Sequence, residues 1–184
     1  MPDLGKLPSS LRDLVRIKTV AGVPALMGHP SGFDRPVPMV LWMHGRTAHK
    51  ELDPGRYLRW LRAGIGLVSV DLPGHGARDD APRHGPSQTL GVVGEMLGEV
   101  DQIVRETLQR FEGAFDADRL GIGGMSAGGM VTLRRLCDPH SFKAAAIEGT
   151  CGSLAELYGP NRPISTESDA AELARLDTSQ HLSE

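Results

Sequence analysis

The sequence predicts an α/β protein, a three-layer sandwich in which helices cover both faces of a mostly parallel β-sheet. Segments of strand character alternate with segments of helical periodicity between residues 37 and 148. This order is typical of right-handed crossovers onto a parallel sheet. The 184 residues, 40% of them hydrophobic, are enough for one domain with a single core. We therefore expect one domain over residues 1–184.

The expected strands differ in how their apolar residues are arranged. Two modest strands come first and form an antiparallel edge of the sheet, because apolar and polar residues alternate at residues 14–20 and residues 22–26 follow a short turn. Residues 37–43 are apolar on both faces, which is typical of a buried strand. Three further strands are predicted at residues 66–71, 119–125 and 143–148.

The expected helices are recognised by apolar residues at a spacing of three to four positions. The clearest helix runs from Val92 to Phe111, where this spacing is kept throughout. Shorter helices are predicted at residues 57–65, 127–136 and 166–176.

Composition and charge argue against several classes of partner. A formal net charge of −3 offers no basic surface for phosphates, so nucleic acid is not expected. No apolar run reaches the roughly 20 residues of a membrane helix, and the first ten residues do not form a secretory signal. The two cysteines, Cys137 and Cys151, cannot build a disulfide framework. We expect a cytoplasmic protein without a metal site or cofactor.

One short motif points to chemistry. Residues Gly124-Met125-Ser126-Ala127-Gly128 read G-x-S-x-G and lie between a predicted buried strand and a predicted helix. In that context a sharp turn exposes the serine hydroxyl, and glycines on either side remove the clashes that side chains would cause. The backbone N–H of Ala127, at the start of the helix, would face an oxyanion formed beside the serine.

Three other interpretations compete with this one. A dinucleotide fingerprint that starts at Gly121 would need glycine where Ser126 stands. A phosphate-binding P-loop would need lysine followed by serine or threonine where Gly129 and Met130 stand. The third interpretation is a glycine-rich turn that serves close packing, in which the serine has no catalytic role.

Two further segments end strands at the same expected edge of the sheet. His44-Gly45-Arg46 follows the first fully buried strand, where a loop N–H could supply a second oxyanion donor. Asp71-Leu72-Pro73-Gly74-His75-Gly76 follows the next strand as a tight loop. Ligands of doubly wound sheets bind at this edge.

Together these segments resemble the α/β-hydrolase superfamily. Within it, the loop at residues 44–51, the turn at residues 71–76 and the sequence at residues 142–145 resemble the dienelactone-hydrolase and prolyl-oligopeptidase-related esterases. The resemblance extends from about Leu14 to the end of the sequence. It implies that Ser126 is the nucleophile and that the backbone N–H groups of Ala127 and Arg46 form the oxyanion hole. The implied substrate is a small carboxylic ester or a related acyl compound, and no cofactor is implied.

The resemblance also implies a catalytic acid and histidine on loops after two later strands. Those strands are not found, so we expect an α/β-hydrolase fold that is C-terminally incomplete by roughly 55 residues. His75 is a weak internal alternative for the base, since a turn residue is the simpler interpretation. Residues 143–148 would then form an open sheet edge, which predicts self-association or a complementing chain.

Two hypotheses of different classes remain open. The first is a serine hydrolase of carboxylesterase type, whose nucleophile an acyltransferase or peptidase would share. The second is a non-catalytic truncated hydrolase-fold fragment or binding subunit. The loop at residues 78–87 and the segment at residues 151–165 are expected to border the pocket.

Overall fold

The structure is a computed structural model that describes residue 4, residues 7–158 and residues 167–182. Six strands and six α-helices are formed by these residues. The strands are β1 (Val15–Val20), β2 (Val23–Gly28), β3 (Val37–Met43), β4 (Gly66–Val70), β5 (Phe115–Met125) and β6 (Ala144–Glu148). The helices are α1 (Ser9–Arg12), α2 (Pro54–Arg62), α3 (Thr89–Arg110), α4 (Ala127–Leu136), α5 (Leu154–Tyr158) and α6 (Glu167–Leu176).

All six strands belong to one sheet in the order β1-β2-β4-β3-β5-β6. β1 pairs with β2 and β2 with β4 in antiparallel fashion, whereas β4, β3, β5 and β6 run parallel. The predicted antiparallel edge and parallel centre are therefore confirmed. The carboxyl ends of β3, β4 and β5 meet at one edge, because Met43 is in register with Val70 on one side and with Gly124 on the other.

Helices cover both faces of the sheet. On one face α3, α4 and the residues that follow them enclose the larger apolar cluster, which includes Met96, Ile103 and Val131. On the other face α1 and α2 cover a smaller cluster around Trp42, Tyr57 and Leu61. This arrangement is the three-layer α/β sandwich that the sequence predicts.

Several elements begin or end one to three residues from their predicted bounds, as α2 does at Pro54–Arg62 against residues 57–65, and β5 and β2 differ for identifiable structural reasons. β5 begins at Phe115 rather than at residue 119, because exposed charged residues form its first part and hide the strand pattern; Arg119 and Asp116 form an ion pair there, at 2.6 Å. β2 continues to Gly28, and the next residue, His29, is fully buried with its ring nitrogen Nε2 2.9 Å from the Ala114 carbonyl oxygen. The start of the last predicted helix, residue 166, lies outside the described residues.

β6 forms one end of the sheet. Among the described residues it pairs with β5 and with no other strand. Ala144, Ala145 and Glu148 are exposed, and Ala146 and Ile147 are half-buried. In the part of the chain that the structure describes, no helix has the length and apolar character required to cross a membrane.

Candidate functional site

Ser126 lies at the turn between β5 and α4. Its backbone has φ +52° and ψ −116°, a conformation that residues with a side chain rarely adopt. Ser126 is half-buried, and its hydroxyl makes no hydrogen bond to any described residue. The strained turn therefore presents, at the carboxyl edge of the sheet, a hydroxyl without a hydrogen-bond partner among the described residues.

The glycines around this turn are required by close backbone contacts. A Cβ atom on Gly124 would lie 2.3 Å from the carbonyl carbon of Gly128, and one on Gly128 would lie 2.3 Å from the Met43 carbonyl oxygen. Real Cβ atoms essentially never approach other atoms so closely. The G-x-S-x-G spacing thus has a steric cause, since the turn is pressed against the end of β3.

The loop after β3 lies directly against Ser126. The Gly128 N–H donates to the His44 carbonyl oxygen at 3.2 Å, and a Cβ atom on Gly45 would lie 3.2 Å from the Ser126 Cβ. The backbone N–H groups of Ala127 and Arg46 donate to no described residue. Ala127 is also the first residue of α4, where the helix dipole favours negative charge. This arrangement could stabilise an oxyanion beside Ser126.

His44 holds the loop after β3 in place. Its Nε2 accepts the Leu72 N–H at 3.1 Å, and its Nδ1 donates to the Gly45 carbonyl oxygen at 2.7 Å. Burial lowers the pKa of His44 from 6.5 to about 4, although the nearby Asp71 carboxylate opposes this shift. The ring is therefore neutral at pH 7 and acts as a loop-shaping residue.

Asp71, at the end of β4, connects the two loops that flank the site. Its fully buried carboxylate accepts the Lys50 backbone N–H at 2.8 Å, the Lys50 ammonium at 2.8 Å and the Ala77 N–H at 2.9 Å. A side chain at Gly76, where φ is +58°, would collide with this carboxylate. The loop after β3 is thereby fixed to the loop after β4.

His75, the weak candidate for the base, is buried in the loop after β4. Its Nδ1 lies 2.8 Å from the Pro73 carbonyl oxygen, so Nδ1 carries the proton, and its Nε2 has no partner among the described residues. No hydrogen bond connects His75 with Ser126 in that part of the chain. Asp79 pairs with His84 at 3.0 Å and not with His75. A role for His75 as base stays a prediction.

A cavity of about 650 Å³ lies beside these loops. It is lined by Leu7, residues 47–52, Pro54, residues 75–77, Asp79 and His84. Asp79 and His84 belong to the loop at residues 78–87 that was expected to border a pocket. For the second expected segment, residues 159–165 lie outside the described residues. No group of three or more metal-ligating side chains occurs within the described ranges.

Two polar contacts at the site were not predicted from the sequence. One is the Lys50–Asp71 ion pair, and the other joins Arg56 to Glu148, at 2.9 Å and 2.6 Å. Arg56 and Glu148 are 92 positions apart. Their encounter depends on how α2 crosses the sheet, for which the sequence carries no local signal. The role of Asp71 had one signal in the sequence, Gly76, because a side chain at that position would collide with the Asp71 carboxylate.

Two curated proteins are similar to this chain in sequence. Esterase YjfP of Escherichia coli (strain K12) is 27% identical over 129 residues, which are 65% of this chain and 48% of that protein. The protein named "Putative esterase YitV" of Bacillus subtilis (strain 168) is 31% identical over 151 residues, which are 77% of this chain and 56% of that protein. The chain spans about half the length of these relatives. No protein-family model matches the sequence.

Solved structures show the same fold. An acylaminoacyl peptidase in complex with a chloromethyl ketone superposes with a TM-score of 0.70 at 19% identity, covering 91% of this chain and 29% of the peptidase. A "Putative Dienelactone Hydrolase" of Klebsiella pneumoniae superposes with a TM-score of 0.61 at 20% identity, covering 74% of this chain and 59% of that chain. A prolyl endopeptidase superposes with a TM-score of 0.65 at 15% identity, covering 93% of this chain and 28% of that chain. Sequence similarity and fold together relate this chain to the α/β-hydrolase superfamily, over part of the length of its relatives.

Proposed function

We propose that this chain carries the nucleophile and the oxyanion hole of a serine hydrolase that acts on carboxylic esters or related acyl compounds. The observation that supports the proposal best is the conformation of Ser126, a strained non-glycine residue between β5 and α4 whose hydroxyl is not hydrogen-bonded to any described residue. Acyl transfer also requires hydrogen-bond donors for the oxyanion. The backbone N–H groups of Ala127 and Arg46, which donate to no described residue, can supply them. The esterase names of the two relatives agree with this substrate class.

The reaction would run in two steps. Ser126 Oγ would attack the ester carbonyl carbon and lose its proton to a base, while the carbonyl oxygen takes the negative charge between the Ala127 and Arg46 N–H groups. Collapse of this intermediate would release the alcohol, which takes up the proton, and leave an acyl group on Ser126. Water would then hydrolyse the acyl-enzyme by the same sequence.

The triad histidine and its orienting acid are not identified in this chain, whose seven histidines all lie among the described residues. Among the described histidines, none hydrogen-bonds to the Ser126 hydroxyl, and His75 is the weaker candidate. We further propose a cytoplasmic location, since Cys137 and Cys151 are both free thiols.

A second candidate function is a non-catalytic hydrolase-fold unit that binds a ligand or a partner chain. The observation that favours it is the lack, within the described residues, of a histidine hydrogen-bonded to the Ser126 hydroxyl. Without the other triad members, hydrolases of this kind retain only about 10³–10⁴-fold acceleration over water. The two candidates therefore differ strongly in the reactivity of Ser126.

Labelling by a fluorophosphonate probe separates the two functions. Labelling of the 184-residue chain at Ser126, abolished in Ser126→Ala, would show that a base acts on this serine and would support the hydrolase proposal. Ser141→Ala is the matched control, because Ser141 is exposed in the segment that precedes β6 and should not affect labelling. A folded chain that the probe does not label would overturn the hydrolase proposal for this chain and favour the non-catalytic unit.

A further inference from the structure

Arg56, in the first turn of α2, reaches Glu148 at the end of β6, the last strand at one edge of the sheet. Its Nη1 and Nη2 donate to the two carboxylate oxygens of Glu148 at 2.9 Å and 2.6 Å. Two parallel charge-assisted hydrogen bonds fix both the position and the plane of the carboxylate. The guanidinium of Arg56 lowers the pKa of Glu148 below its usual range, so this pair is ionised at pH 7.

The guanidinium is held over the sheet by an aromatic platform. It stacks on the Trp42 ring with its central carbon 4.3 Å from the ring centroid. The Trp42 ring itself lies across β5, where a Cβ atom on Gly123 would be 2.9 Å from two of its atoms. Asp53 accepts hydrogen bonds from the Arg56 backbone N–H and from its Nε. Because Gly123 has no side chain, the Trp42 ring can lie over β5. The Arg56 guanidinium that stacks on this ring is thereby placed within reach of Glu148.

Glu148 also holds the backbone of the candidate nucleophile. Its carbonyl oxygen accepts the Ser126 N–H at 2.9 Å. β6 pairs on one side only among the described residues, so no second strand fixes its end there. The side chain of Glu148, bound to Arg56, supplies that constraint. A continuous set of contacts therefore connects Trp42 and Arg56 with the strained turn at Ser126.

We propose that Arg56 is a positioning residue for Ser126. Through its two hydrogen bonds to Glu148, it fixes the carbonyl group that holds the Ser126 N–H, and so keeps the turn in the conformation that exposes the hydroxyl beside the Ala127 N–H. The effect on reactivity rests on the proposed function, whereas the effect on the Ser126 backbone does not.

Two measurements on the full chain test this role. The first is the hydrogen exchange rate of the Ser126 amide, which we expect to rise at least tenfold in Arg56→Gln while that of Val68, in the sheet centre, does not change. The second is the rate of fluorophosphonate labelling, which we expect to fall about tenfold or more, since small misplacements of a reacting group are costly. Arg56→Lys should resemble Arg56→Gln, because an ammonium cannot make the paired bonds.

A matched control and a rescue sharpen the test. Arg59→Gln removes an exposed arginine from the same helix that makes no hydrogen bond to Glu148, and it should leave both rates unchanged. The double variant Arg56→Glu, Glu148→Arg restores the opposite charges and should recover part of the Ser126 amide protection.

Each outcome decides the proposal. Unchanged Ser126 exchange in Arg56→Gln, or an equal rise at Ser126 and Val68, would overturn it, because the first excludes a local tether and the second indicates global destabilisation. Faster exchange confined to the turn supports it. If the wild-type chain is not labelled at all but exchange still rises locally, the proposed hydrolase function fails and the positioning of Ser126 by Arg56 stands.

Discussion

The ammonium group of Lys50 lies 2.8 Å from the Asp71 carboxylate, and both side chains are buried. Lys50 also contacts Glu51, at 2.9 Å, and Asp71 in addition receives two backbone N–H groups. This buried pair joins the loop that carries Arg46 to the loop that carries His75. The geometry beside Ser126 therefore depends on an ion pair that does not itself touch the candidate nucleophile.

Asp71→Asn should lower the free energy of unfolding by about 3 kcal/mol, because it leaves a buried ammonium with one carboxylate fewer. Urea unfolding followed by circular dichroism measures the change. The control is Asp79→Asn, whose exposed side chain pairs with His84 and with no other described residue, and which should change the free energy by less than about 0.5 kcal/mol. A loss below about 1 kcal/mol in Asp71→Asn would show that the pair is not structurally important.

Ser126→Gly should make the protein more stable while it removes any labelling by an acyl or phosphonyl probe. A side chain in this backbone conformation stores about 1–3 kcal/mol, and glycine releases that strain at an entropic cost of roughly 0.5–1 kcal/mol. We expect a net gain of about 1 kcal/mol in thermal or urea unfolding. Ser126→Ala keeps the Cβ atom and should unfold like the wild type. Equal stability of the glycine and alanine variants would refute the strain.

Gly128→Ala should lower the free energy of unfolding by about 3 kcal/mol, since the new Cβ atom would lie 2.3 Å from the Met43 carbonyl oxygen. Gly91→Ala in α3 is the matched control. A Cβ atom there meets no atom within 4 Å, so helix propensity alone should raise the stability by about 1 kcal/mol. The two alanine substitutions should thus change the free energy of unfolding in opposite directions. A Gly128→Ala protein of wild-type stability would contradict the close contact.

The stability of the wild-type protein should depend on the ionisation of His44. Its pKa in the folded protein is about 4, against 6.5 for an ordinary histidine, mainly because of burial, with Asp71 opposing the shift and His75 and His49 adding to it. The unfolded chain therefore binds a proton between pH 6.5 and about 4 that the fold excludes. Stability from this group is complete above pH 6.5 and falls by up to about 3 kcal/mol as the pH drops to 4.

Urea unfolding at pH 7, 5.5 and 4.5 of the wild type and of His44→Gln measures this contribution. The difference in unfolding free energy between the two proteins should shrink as the pH falls, since the glutamine does not titrate. A difference that is constant over this range would contradict a neutral, buried His44.

The open edge of β6 predicts association of the 184-residue chain. β6 contains one charged residue, Glu148, and its carboxylate is bound to Arg56. Residues 144–148 include no proline or lysine that would block pairing with another strand. Sedimentation velocity should show a concentration-dependent increase in size. Ala144→Lys should reduce that increase, and Gln102→Lys, on the exposed side of α3, should not. A monomer at all concentrations would contradict this proposal.

Much of the fold follows from short stretches of sequence. The strand at residues 37–43 has the predicted bounds, because a run that is apolar on both faces has few alternatives to a central strand. The turn at Ser126 was predictable as well, since glycines at 124 and 128 indicate a close backbone approach. In both cases the residues that determine the feature are close together in the sequence, so the pattern can be recognised without knowledge of the fold.

Contacts between distant segments were not predictable in the same way. The first part of β5 was missed because Asp116 and Arg119 are satisfied by each other and do not follow the strand pattern. The tether from Arg56 to Glu148 depends on the angle at which α2 crosses the sheet. His29 reads as a turn residue, yet its ring is buried because two backbone N–H groups, of Ser31 and Phe33, donate to its Nδ1.

The stacking of Arg56 on Trp42 also gives the molecule an intrinsic optical reporter. The sequence contains two tryptophans, and both belong to this cluster, with the rings of Trp42 and Trp60 5.3 Å apart. Their emission therefore originates entirely from the region that connects α2 to β6. A spectral change upon ligand addition would report a rearrangement there, without any added dye and independently of whether Ser126 reacts.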